Sequence, residues 1–241
     1  MNYLKPFEMK EFTVAHDQCA MRVNTDGCLL GAVAGEEFES NQVQHVLDIG
    51  TGSGVIAMQL AQRFEKAYVD AVEIHGPSAK QATENFSKSP YASRMVCYHE
   101  PIQEYELNLL YDLIVSNPPY FEAGPTKLDA GIAAARHALT LDFKSLVMNA
   151  ARLLKNNGQF WVILPCDQSD RFLDEAMDEG LSLKTIIHVH PKAEREANRC
   201  IYGLCKCEVE EPIRKKITLY AKDHHYTEEA REVLSPFYAS L

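Results

Sequence analysis

The 241-residue sequence contains no uncharged apolar run of about 18 residues or more, the length a helix needs to cross a bilayer. Its first stretch, MNYLKPFEMKEF, scatters charges where a secretory leader would place an apolar core. These two absences predict a soluble, cytoplasmic protein with no membrane partner. CxxC pairs are also missing: the seven cysteines stand at 19, 28, 97, 166, 200, 205 and 207. An odd count argues against a disulfide framework, and zinc sites normally bring their cysteines in close pairs. No metal is expected, and Cys205 and Cys207 read as reduced core thiols. Nor is there a surplus of basic charge, because 24 Lys and Arg face 34 Asp and Glu for a net −10. General nucleic-acid binding is thereby excluded, and any such partner requires a local basic patch. With no internal repeat, low-complexity tract or Gly/Pro/Ser linker, the chain reads as a single domain over 1–241 and as a monomer. Residues 1–40 form an N-terminal extension to a core over 41–241.

From residue 45 the pattern alternates strand and helix, the signature of a parallel sheet covered on both faces. The spacing predicts strands over 45–49, 67–74, 94–99, 109–116, 159–165 and 181–190. It predicts helices over 55–64, 77–89, 142–158 and 169–180, the third opened by Asp142 and stopped by Asn157-Gly158. The segment 199–207 follows the sixth strand after a loop too short for a crossover, so that pair must be antiparallel. KKITLY (215–220) reads as a further strand, and 227–238 as a closing helix with Thr227 at its N-cap.

Two motifs carry chemistry. In VLDIGTGSG, Asp48 closes a strand, and Gly50, Gly52 and Gly54 follow before a helix. GxGxG is one residue tighter than the GxGxxG of pyrophosphate binders. Glycines let the backbone approach a ligand and aim its amides there. An acidic strand tip would repel pyrophosphate yet welcome an ammonium and a sulfonium. Glu73, about twenty residues on, ends the second strand where a carboxylate can accept ribose hydroxyls. The second motif is VSNPPYF (115–121), a rigid corner after a buried strand. Asn117 and the Pro118 carbonyl can each accept one N–H of an amine and turn its lone pair toward an electrophile. Pro118 and Pro119 fix φ, which presets that carbonyl, and Tyr120 with Phe121 offers a stacking surface for a flat acceptor.

The glycine turn resembles the S-adenosylmethionine site of class I methyltransferases. That resemblance implies a Rossmann-like α/β fold: a seven-stranded, mostly parallel sheet with an antiparallel final strand. NPPY resembles the (D/N)PP(Y/F) signature of methyltransferases acting on adenine N6, guanine N2 or a glutamine amide. VAHDQCAMRVNTDGCLLG, LDIGTGSG, VSNPPYF, ARHALTLD and the C-terminal SPFY together resemble the valine tRNA adenine-N6-methyltransferase family over almost the full chain. The resemblance implies N6 methylation of an adenine beside the anticodon, with S-adenosylmethionine as donor and tRNA as partner. It implies cofactor contacts from Thr25, Asp26, Asp48, Gly50, Thr51, Gly52, Gly54, Glu73 and Asn117. Acceptor chemistry falls to Asn117, Pro118, Pro119 and Tyr120, and tRNA contacts to Tyr120, Phe121, Arg136, Lys192 and Arg199. The N-terminal segment then caps the cofactor pocket.

One departure concerns the carboxylate that commonly meets the cofactor adenine after the third strand. Pro101 stands near its place, leaving Glu100 as the substitute. Lys192, Arg195, Arg199, Arg214, Lys215 and Lys216 supply a candidate basic patch. His16 reads as a polar helper of the N-terminal segment, and neither it nor His137 is required as a base. The other readings are guanine N2 in rRNA, a protein glutamine, or a silent RNA-binding module.

Overall fold

The computed structural model describes residues 5–119 and 142–241. Its elements run β1 (Phe7–Glu8), β2 (Thr13–Val14), α1 (Thr25–Val33), β3 (His45–Ile49), α2 (Val55–Arg63), β4 (Tyr68–Val72), α3 (Gly76–Lys88), β5 (Met95–Tyr98) and β6 (Tyr111–Ser116). After the break come α4 (Phe143–Leu153), β7 (Leu154–Pro165), α5 (Ser169–Asp178), β8 (Ser182–Lys192), β9 (Arg199–Cys205), β10 (Ile213–Tyr220) and α6 (Glu228–Leu234).

The main sheet is eight-stranded in the order β10-β8-β9-β7-β6-β3-β4-β5. Only β9 runs against its neighbours β7 and β8, as the short 190–199 connection dictates. The seven expected core strands are all present, and the tail segment adds the eighth, β10, parallel to β8. Central strands are apolar throughout because both faces are covered. Along β6, Leu113 and Val115 pack on one side and Ile114 on the other; along β7, Trp161 and Ile163 oppose Phe160, Val162 and Leu164. The first core takes α1, α2, α3 and α6, and the second takes α4 and α5.

One expectation shifts. The helix predicted over 142–158 ends at Leu153, and Leu154 begins β7 opposite Tyr111. The register between these strands is irregular here, and KNNG folds into it. Lys155 reaches Asp112 at 2.8 Å, and a Cβ on Gly158 would stand 2.8 Å from the Tyr111 carbonyl. An ion pair and close backbone packing thus override helical spacing. The helix α1 begins at Thr25, where the Asn24 side chain accepts the Gly27 amide and caps it.

The N-terminal segment is laced to α3 by polar side chains one to two turns apart. Ala20 N donates to Ser78, Gln18 N to Gln81, and Ala15 N to Asn85, whose amide returns to the Ala15 and Ser53 carbonyls. No described helix is long and apolar enough to cross a membrane.

Candidate active site

The strand ends Ile49, Val72 and Ser116 lie side by side in register. Beyond them lies the carboxyl edge of the sheet, where open α/β folds bind ligands. The glycine turn leaves β3 there. Gly50, Gly52 and Gly54 all have positive φ, at 74°, 58° and 83°, a region closed to most side chains. Cβ atoms on Gly50 and Gly52 would enter open space, whereas one on Gly54 would collide with the Phe86 ring. Two glycines therefore keep a cradle clear, and the third lets α2 approach α3.

Three of the turn's amides, which the sequence offered to a ligand, are taken up within the fold. Gly50 and Thr51 donate to the Val72 carbonyl at 2.8 and 3.3 Å, and Gly52 donates to Glu73 Oε2 at 2.8 Å. Paired β-strands compete for these donors, and a turn wedged between β3 and β4 has its partners at hand. Asp48 is wholly buried beneath the turn. It accepts the Thr51 hydroxyl at 2.6 Å, and its Oδ1 has no partner among the described residues. Burial pushes this carboxyl up to about 7, against the Thr51 hydroxyl and the Ala57 amide, which favour the charged form; the Glu73 charge raises it further. An acid so placed needs a cationic or donor partner to ionise readily.

Glu73 stands just past β4 and is nearly buried. The Gly52 and His75 amides hold its two oxygens at 2.8 Å each, leaving further lone pairs. In front of it opens a cavity of about 270 Å³. Gly50, Thr51, Gly52, Glu73, Glu100, Asn117 and Pro119 line it, as do Met21, Asn24 and Gly27 from the N-terminal segment. The extension thus closes one side of the cavity, with His16 Nδ1 accepting the Val23 amide at 3.0 Å to shape the approach.

Asn117 directly follows β6, so its position is set by the strand that Ser116 anchors through a 2.8 Å hydrogen bond to the Ile49 carbonyl. It faces α1, where a Cβ on Gly27 would stand 3.6 Å from Asn117 Nδ2. Pro118 is buried and Pro119 exposed. Tyr120, Phe121, Arg136 and His137 lie outside the described residues.

The remaining expected residues sort differently. Asp26 is ion-paired to Arg199 at 2.8 Å, so a residue read as cofactor-binding and one read as tRNA-binding meet each other. Thr25, Asp26, Asp48 and Gly54 do not line the cavity. The basic patch is split: Lys192 ends β8 at the carboxyl edge, whereas Lys215 sits opposite Ile187, further up the paired strands, and binds Glu36 at 2.6 Å. Parallel pairing of β10 with β8 sets this separation. Asn24, Gly27 and Ser78 were missed as site residues. Asn24 before Thr25 carried a readable N-cap signal, but its place on the cavity wall depends on how α1 docks.

Residues 32–182 match the model of the Methyltransferase small domain family. The chain is 40% identical over 237 residues to the tRNA1(Val) (adenine(37)-N6)-methyltransferase of Parabacteroides distasonis, covering 98% of each chain. It is likewise 40% identical over 240 residues to the protein of that name from Aeromonas hydrophila subsp. hydrophila, again with 98% of each covered. Among solved structures, a predicted O-methyltransferase from Agrobacterium tumefaciens superimposes with a TM-score of 0.66. At 17% identity over 88% of this chain and 96% of that one, it is a likeness of fold alone.

Proposed function

The chain belongs to the family of tRNA1(Val) (adenine(37)-N6)-methyltransferases, and from that premise we propose that it methylates N6 of adenine 37 in a valine tRNA, using S-adenosylmethionine in the cytoplasm. The observation that carries this reading is the shared cavity: Asn117 and Pro119 of the amine-binding corner line the same space as Glu73 and the open glycine cradle. Donor and acceptor machinery thus face one pocket.

The residues fit the cofactor in three respects. Gly50 and Gly52 leave space that side chains would fill. Glu73, held by two amides, keeps lone pairs for ribose hydroxyls. Asp48 has a buried oxygen without a partner, suited to the field of an ammonium group above the turn. We assign the adenine end to Glu100. S-adenosylmethionine, when bound, supplies an electrophilic methyl group already activated by its sulfonium charge.

What the chain must then do is align the acceptor. An exocyclic amine is a weak nucleophile because its lone pair is delocalised into the ring. The Asn117 side-chain oxygen and the Pro118 carbonyl each accept one of its N–H bonds, so the lone pair turns out of the ring plane toward the methyl. The proton leaves after transfer, and no strong base is required. An anticodon-loop adenine is already partly unstacked, which lowers the cost of exposing it. Lys192 at the carboxyl edge is the described cation assigned to the tRNA backbone.

The test is incubation with labelled S-adenosylmethionine and, separately, total tRNA, ribosomal RNA and ribosomal protein, followed by digestion and mass spectrometry. Label in N6-methyladenosine from a valine tRNA is the expected result. Label in N2-methylguanosine or methylglutamine would replace the acceptor, and no transfer to any pool would overturn the activity.

A further inference from the structure

The first turn of α1 forms the wall beside Asn117, and two interactions pin it. Asn24 Oδ1 accepts the Gly27 amide at 2.9 Å, and Asp26 Oδ2 accepts from Arg199 Nε at 2.8 Å. The last joins residues 173 apart and ties the helix to the antiparallel strand β9. It is partly shielded, with 28% of the Arg199 and 19% of the Asp26 side chain exposed. Arg199 Nη1 also donates to the Asn198 carbonyl at 2.9 Å, which fixes the plane of the guanidinium.

Helix ends fray, because their first amides lack intrahelical partners. An amide side chain that aligns a reacting amine must hold its place within about 0.5 Å, and a displacement of about 1 Å can cost a hundredfold in rate. Gly27 and Asn117 line the same cavity, and a Cβ built on Gly27 would stand 3.6 Å from Asn117 Nδ2, so little more than the width of one side-chain carbon separates the turn from the amide that a shift would disturb.

We propose that the Asp26–Arg199 pair is a positioning clamp: it holds the first turn of α1 against Asn117 and thereby sets the orientation of the acceptor amine. The pair acts through Asn117, so the inference rests on the methyl-transfer reading. It replaces the separate roles of cofactor contact for Asp26 and tRNA contact for Arg199.

The clamp is tested with Asp26→Ala, Arg199→Ala, the milder Arg199→Lys, and the exchanged pair Asp26→Arg with Arg199→Asp. The measurements are kcat, KM for tRNA across a salt series, S-adenosylmethionine affinity by calorimetry, and hydrogen exchange of the amides of residues 25–30 without substrate. Each alanine variant is expected to lower kcat about tenfold or more, to speed exchange in the first turn, and to leave cofactor affinity and the salt slope of tRNA KM unchanged. Arg199→Lys falls between, and the exchanged pair recovers part of both losses. The clamp is overturned if Arg199→Ala acts through a raised KM with a shallower salt slope, the mark of a lost phosphate contact. It is equally overturned if Asp26→Ala weakens cofactor binding, or if the exchanged pair does no better than the worse single variant. Exchange is read in the resting protein, so wild type that methylates no tRNA would strike the activity alone. The clamp would then stand or fall on exchange.

Discussion

The Gly52 amide donates to Glu73 Oε2 at 2.8 Å, so the middle glycine of the turn and the carboxylate beyond β4 hold one another in place. With His75 N on the other oxygen at 2.8 Å, the carboxylate is oriented before any ligand arrives. Glu73→Ala should therefore weaken S-adenosylmethionine binding by about ten- to a hundredfold, as expected for losing hydrogen bonds to a charged group. Calorimetry on the tRNA-free protein measures this, and unchanged affinity would remove Glu73 from the cofactor site.

Asn117 is assigned to the acceptor. Asn117→Ala should lower kcat by about a hundredfold or more while cofactor affinity stays within a few-fold. Single-turnover methylation and calorimetry separate the two. A large loss of cofactor binding with modest loss of turnover would reverse the assignment.

The glycines should separate stability from binding. Gly54→Ala combines left-handed strain with a collision at Phe86 and should destabilise the fold by about 3 kcal/mol. Gly52→Ala meets open space, so it should cost only about 1–2 kcal/mol yet sharply reduce cofactor affinity. Urea melts beside binding titrations give the comparison. Equal destabilisation with binding intact at both positions would contradict the cradle.

Burial pushes the Asp48 carboxyl up to about 7 in the folded protein, against an ordinary value near 3.8. Between those pH values the folded state holds a proton that the unfolded state has lost, so this group's stabilisation falls as pH rises through about 7. Asp48→Asn should flatten that fall: the ligand-free variant should match wild type below about pH 4, exceed it increasingly as pH rises, and hold a constant advantage above about pH 7. Its affinity for the cationic cofactor should drop. Identical pH dependence in both proteins would show that Asp48 does not titrate there.

Position along the sheet should govern the role of surface lysines. Lys192→Glu, at the carboxyl edge, should weaken tRNA binding and reduce its salt dependence by about one counterion. Lys215→Glu, opposite Ile187 and bound to Glu36, should have a smaller effect. Filter binding at several salt concentrations distinguishes them, and equal losses would return Lys215 to the RNA surface.

Much of this was legible locally. HVLDI and LIV announce central strands because residues covered on both faces must be apolar throughout. Three glycines before a helix announce left-handed turns, and the brevity of the loop before β9 forces its antiparallel course. What failed locally failed where distant chain intervened. KNNG looked like a helix end until Asp112 and the Tyr111 carbonyl drew it into a strand irregularity. The Gly50, Thr51 and Gly52 amides looked free for a ligand until Val72 of β4 and Glu73 just beyond it took them up.

The sequence by itself determined the sheet, the glycine turn and the Asn-Pro-Pro corner, because each depends on backbone preferences and burial patterns confined to a few neighbouring residues. Only the tertiary structure decided that corner and turn open into one cavity, and that Asp26 meets Arg199. Such pairings depend on how α1 docks against the sheet and where β9 returns, and no short-range pattern encodes a contact between side chains 173 residues apart.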